Sequence, residues 1–101
     1  DRFCAEKKIN MIDLLKIDTE GNELQVLKGA VRMLTEKRIK VIQFEFGECA
    51  VFAKVFLRDF YELLTDFEIF RLDSERLIPI SVYDPVNEIF RFQNIIAICK
   101  S

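Results

Sequence analysis

Apolar positions along this 101-residue chain switch between two spacings, and the switches mark its elements. From Met11 to Asp18 the run Met-Ile-Asp-Leu-Leu-Lys-Ile-Asp is nearly continuous in apolar residues, the pattern of a strand in a parallel sheet covered on both faces. After Asn22 the spacing becomes helical, with Leu24, Leu27, Ala30, Val31 and Leu34 on one side and Gln25, Lys28, Arg32 and Glu36 on the other. Ile39 to Phe46 returns to a strand, placing Val41, Gln43 and Glu45 on one face and Ile42, Phe44 and Phe46 on the other. A strand, helix, strand unit of this kind implies a right-handed parallel crossover.

The second half continues the alternation. A helix is expected from about Ala53 to Asp66, with Phe52, Phe56, Leu57, Phe60, Leu63 and Leu64 on its apolar face. Phe67 to Leu72 reads as a strand, Asp73 to Arg76 as a turn, and Leu77 to Tyr83 as an extended return. Pro79 has no N–H for a ladder, so the return belongs at a sheet edge. Asp84 to Phe92 reads as a loop with a helical turn at Val86, Asn87 and Glu88, and Asn94 to Cys99 closes the chain as an apolar strand. Ahead of the first strand, Asp1 to Lys8 is expected to form a short helix with Phe3 and Cys4 turned inward. The fold class is α/β, in a single domain over residues 1–101 without repeat or linker.

Three local features carry expectations of their own. Asn22 can cap the first long helix together with Gln25. Gly29, in mid-helix, costs about 1 kcal/mol relative to Ala, which predicts a close backbone approach to the sheet there. Gln43 and Glu45 lie in an otherwise apolar strand and need partners, for which Lys16 on the neighbouring strand is placed.

Composition narrows the function classes. Ten phenylalanines in a 50% hydrophobic chain suit a domain of this size, which buries only roughly 60–70% of its unfolded surface. The net charge is −2, and the basic residues are scattered, which argues against nucleic acid as a partner. There is no histidine, so a His-based triad or His-ligated metal cannot come from these residues. Cys4, Cys49 and Cys99 form no CxxC pair and suggest a reducing compartment. No run approaches the ~20 apolar residues of a membrane span, and the N-terminus is unlike a signal peptide. The expectation is a soluble cytoplasmic protein, without membrane or nucleic-acid partners. Because it opens without Met, it also reads as the interior of a longer chain.

The chemistry concentrates in acids at strand ends. Asp18, Glu20 and Glu45 fall at the carboxyl ends of adjacent parallel strands, the edge where open α/β sheets bind ligands. Carboxylates there can act as a general base, ligate a hard metal or accept hydrogen bonds from a hydroxylated ligand. They can also be structural: Glu20 and Glu23 bracket a helix N-terminus, where acids are favoured, and Glu45 can pair with a cation. From the residues alone, a magnesium-dependent phosphate hydrolase using all three acids and a non-catalytic interaction module both stay open.

Residues 14–30, Leu-Leu-Lys-Ile-Asp-Thr-Glu-Gly-Asn-Glu-Leu-Gln-Val-Leu-Lys-Gly-Ala, resemble the signature of the FkbM-type methyltransferases, with Lys16, Asp18, Glu20, Gly21 and Glu23 in the motif positions. Ile42 to Gly47, the Asp59 to Leu64 helix and Asn94 to Ile98 resemble the family in the same order. The resemblance implies the C-terminal half of a Rossmann-like methyltransferase fold, a mostly parallel sheet with an antiparallel last strand and helices on its faces. The four main strands would be the fourth to seventh of that fold, the seventh lying between the fifth and sixth. It further implies S-adenosylmethionine as cofactor and methylation of a hydroxyl on a natural product, sugar or lipid. In that setting Asp18 would touch the cofactor and lie beside the transfer site, while Glu20 or Glu45 orients or deprotonates the acceptor. The family's glycine-rich turn is absent, so the cofactor would be bound mainly by a missing N-terminal half, and the fragment alone would be inactive. The strand left unpaired at Met11 to Ile17 is then expected to associate with a second copy.

Overall fold

The computed structural model describes residues 1–18, 21–47, 54–73, 76–88 and 93–100. In chain order these form α1 (Arg2–Glu6), β1 (Ile12–Ile17), α2 (Glu23–Lys28), α3 (Val31–Thr35), β2 (Ile39–Phe46), α4 (Leu57–Leu63), β3 (Phe67–Asp73), β4 (Arg76–Pro79), a 3-10 turn (Pro85–Asn87) and β5 (Gln93–Cys99). The strands make one mixed sheet in the order β1-β2-β5-β3-β4. The α/β class expected from the sequence is therefore present.

The expected mostly parallel sheet is not. Among the described residues only β1 and β2 pair in parallel; β2 with β5, β5 with β3, and β3 with β4 are antiparallel. Strands β1, β2 and β3 do run in one direction, but β5 enters between β2 and β3 and replaces one parallel contact with two antiparallel ones. The pairing of β4 back on β3, with Asp73 level with Arg76, adds another. Pro79 lies in the edge strand β4, as its missing donor requires.

Register divides the sheet into two unlike faces. Ile17, Ile42, Phe44, Phe46, Ile95, Ala97, Phe67 and Ile69 are buried on one of them. There Phe60 of α4 stacks on Phe44 with centroids 4.4 Å apart and meets Phe46 edge-on at 6.1 Å. Such ring pairs contribute beyond their buried area. The other face carries Lys16, Gln43, Glu45 and Asn94 near the carboxyl end of β2. The sequence predicts cover on both faces of β1, yet Asp13, Leu14 and Lys16 are exposed on it, Leu14 to 57%; its place at the sheet edge is as expected.

The long helix expected after Asn22 is broken in two. Ala30 N donates to Leu27 O rather than four residues back, and α3 restarts with the Asp1 carboxylate accepting from Arg32 N at 2.9 Å and Met33 N at 3.1 Å. The break rotates the apolar face, so Met33 is buried and Val31, expected inward, is exposed. A Cβ on Gly29 would meet Val26 O at 3.3 Å and Gln25 O at 3.7 Å; the neighbours are carbonyls of its own helix, not the sheet. Phe3 is likewise exposed, while Cys4 packs against the core.

Helix α4 is shorter than the apolar spacing suggested. Its start is set by Asp59, which accepts from Phe56 N at 2.7 Å, and by Glu88 from across the chain. Leu57, Phe60 and Leu64 are buried, but Phe56 is exposed. Phe52 and Ala53, placed in this helix from the sequence, lie outside the described residues.

Candidate functional site at the carboxyl edge of the sheet

Asp18 follows directly on β1 and is exposed. Register pairs Lys16 with Gln43 and Ile17 with Phe44; carried one position further, it sets Asp18 level with Glu45, on the same face of adjacent strands. Glu45 is partly buried and level with Asn94 on its other side. Two of the three acids singled out in the sequence thus meet at one edge. Glu20 and Cys49 lie outside the described residues.

The turn into α2 is shaped by glycine. Gly21 has φ 113°, a conformation that a side chain strongly disfavours. Its N–H donates to Glu23 Oε1 at 3.0 Å, and Glu23 is only 5% exposed. Asn22 makes no side-chain cap to α2; the expected capping by Asn22 with Gln25 is replaced by this inward-folded glutamate. In the motif, Gly21 and Glu23 therefore shape the entry to α2.

A second polar cluster lies on the core-facing side of the same edge; of its members the sequence points only to Tyr61 and Tyr83, as able to reach an acceptor site though more readily explained by packing. Arg71 Nε donates to Gln93 Oε1 at 2.7 Å, and Nη2 donates to Asn87 Oδ1 at 3.0 Å. Glu88 accepts from Leu57 N at 2.7 Å, Arg58 N at 3.0 Å and the Tyr83 hydroxyl at 2.7 Å. Tyr61 packs edge-on against Tyr83 and donates to Ile80 O. Burial pushes the Tyr61 hydroxyl up to about 12, opposed by the nearby Arg71 cation. The bond to Glu88 raises that of Tyr83. A signal for part of this was present: Phe67, Ile69 and Arg71 alternate on one face, so a cation interrupts a core-facing row. Glu88 gave none, because the backbone N–H groups it accepts from, Leu57 and Arg58, are some thirty residues away.

Phe56, Arg58, Asp59, Glu62, Tyr83 and Glu88 border a cleft of about 470 Å³ at the start of α4, which neither Asp18 nor Glu45 lines. Among the described residues, no three acids, cysteines or histidines gather closely enough to hold a metal ion. No helix among them is long and apolar enough to cross a membrane.

A parallel strand, helix, strand unit with an exposed aspartate at the first strand's tip and a glutamate beside it has the layout of an α/β domain that binds ligands along its carboxyl edge. The family described as "Methyltransferase FkbM domain" matches residues 1–74, and the chain belongs to that methyltransferase family. The matched span runs from α1 through β3. No curated protein and no solved structure matches the chain.

Proposed function

We propose that this chain forms the acceptor side of a Rossmann-like methyltransferase that transfers a methyl group from S-adenosylmethionine to the hydroxyl oxygen of a small acceptor, such as a natural product, sugar or lipid. The observation that carries the reading is Asp18, exposed at the tip of β1 within the family-matched span and level with Glu45. The strand order supports it as well, since a reversed strand between two of like direction is what the resemblance implied for the end of that fold.

The residues present fit part of such a cofactor. Asp18 offers an exposed carboxylate to a hydroxyl or ammonium group at the carboxyl edge of the sheet. S-adenosylmethionine supplies a sulfonium-bound methyl group when bound. Glu45, or Glu20 outside the described residues, would orient the acceptor hydroxyl or take its proton as general base, a role worth about 10²–10⁴-fold in rate. The chain has only three glycines and no glycine-rich turn after a strand, so in this reading most cofactor contacts come from residues beyond it. Cys4 and Cys99 are free thiols, in keeping with a reducing cytoplasm.

Asp18→Ala in the full-length enzyme tests the reading. Transfer of labelled methyl to the acceptor should fall by about 10²-fold or more, with the unfolding midpoint unchanged because Asp18 is exposed. Unchanged transfer would refute the assignment.

A further inference from the structure

The core-facing row of β3 ends in a cation. Phe67 and Ile69 are buried, and Arg71 follows them, partly buried, on the same face. Its partners, Gln93 and Asn87, are neutral amides. Removing a charge from water calls for a counter-charge or full hydrogen bonding. Arg2, Arg32, Arg38 and Arg58 are each paired with a glutamate. Arg71 has no carboxylate at ion-pair distance among the described residues. Glu88, whose charge also acts on Tyr61, already holds two backbone N–H groups and the Tyr83 hydroxyl.

The two amides hold one edge of the guanidinium and so set its plane. The remaining edge, Nη1 with the outer hydrogen of Nη2, has no acceptor among the described residues. Arg71 is only partly buried, and among the described residues no fully buried side-chain nitrogen lacks a partner. Two parallel N–H groups match the two oxygens of a carboxylate or phosphate. Gln93 is level with Phe46, the last residue of β2, so this edge lies along the same end of the sheet as Asp18 and Glu45.

We propose that Arg71, oriented by Gln93 and Asn87, anchors an oxyanion site at the carboxyl edge of the sheet and takes the carboxylate or phosphate group of a small ligand. The site stands independently of methyl transfer. Its test is a titration of the whole chain with inorganic phosphate and, separately, with acetate, at constant ionic strength in chloride. The Arg71 Nε–H and the side-chain amides of Gln93 and Asn87 are followed by NMR. Saturable shifts confined to these groups are expected, with the tighter of the two anions identifying the ligand group. Binding should weaken at least tenfold in R71Q, which removes the cation, and in R71K, which keeps the charge but loses the fork. Should R71Q fail to fold, R71K decides. Shifts that never saturate, that spread over surface lysines or that survive R71K would mean an adventitious ion only. Silence with both anions would overturn the proposal.

Discussion

Glu88 Oε1 accepts the Leu57 N–H at 2.7 Å across thirty-one residues, so the first turn of α4 is capped by a side chain distant in sequence. The same carboxylate holds Arg58 N and the Tyr83 hydroxyl. It joins the helix to the return that follows β4. Glu88→Ala should lower stability by about 1–2 kcal/mol, the range for losing a helix cap, as read from urea unfolding. Glu88→Gln, which keeps one acceptor, should cost less. In either variant Tyr83 should ionise at lower pH, because its bond to Glu88 is the main cause of its raised value; tyrosinate absorbance reads this directly.

Tyr61 makes the fold sensitive to alkali. Its hydroxyl titrates at about 12 when folded, against an ordinary value of 10.0, so above pH 10 the unfolded chain releases a proton that the folded one still holds. Stability from this group is complete below pH 10 and is lost as pH rises toward about 12. Tyr61→Phe should flatten that part of the stability curve. It should also cost about 0.5–1.5 kcal/mol at neutral pH for the lost bond to Ile80 O.

Asp1 caps α3 through both carboxylate oxygens, on Arg32 N and Met33 N. Asp1→Ala should destabilise the chain by about 0.5–2 kcal/mol. Hydrogen exchange should quicken first at the Arg32 and Met33 amides, while Asp1→Asn, which keeps one acceptor, should retain most of their protection.

Strand β1 leaves one edge unpaired, with Met11 and Leu14 exposed beside it. Such an edge templates association, and a charge on it opposes that. The isolated chain should self-associate in light scattering, and Leu14→Lys should shift it toward monomer with its circular dichroism unchanged. A wild-type chain that stays monomeric at high concentration would count against this edge as the contact.

Much of the fold was legible because burial writes itself into periodicity. The period-two rows of Ile39 to Phe46 and the continuous apolar run of Asn94 to Cys99 became β2 and β5, and Pro79 marked the edge strand before any neighbour was known. The helix break at Gly29 and Ala30 was hidden, because Leu24, Leu27 and Leu34 keep helical spacing across it and the cap that restarts α3 comes from Asp1. Val31 and Phe56 were misplaced for the same reason: an apolar residue within a helical pattern is buried only if the helix starts where the pattern does.

For the candidate site, the order of residues alone brought out Asp18, Glu20 and Glu45, since two strands predicted to be neighbours end in acids, and the family resemblance added Gly21 and Glu23. Tertiary structure decided what crosses the chain: that Glu45 stands level with Asp18, that Glu88 caps α4, and that Arg71 meets Asn87 and Gln93. The reversed β5 between β2 and β3 was implied by the family resemblance, while the antiparallel pairing of β4 with β3 came from the tertiary structure. Local sequence dictates conformation through sterics and burial over a few residues, whereas strand order and long-range hydrogen bonds depend on which surfaces meet once the whole chain has collapsed.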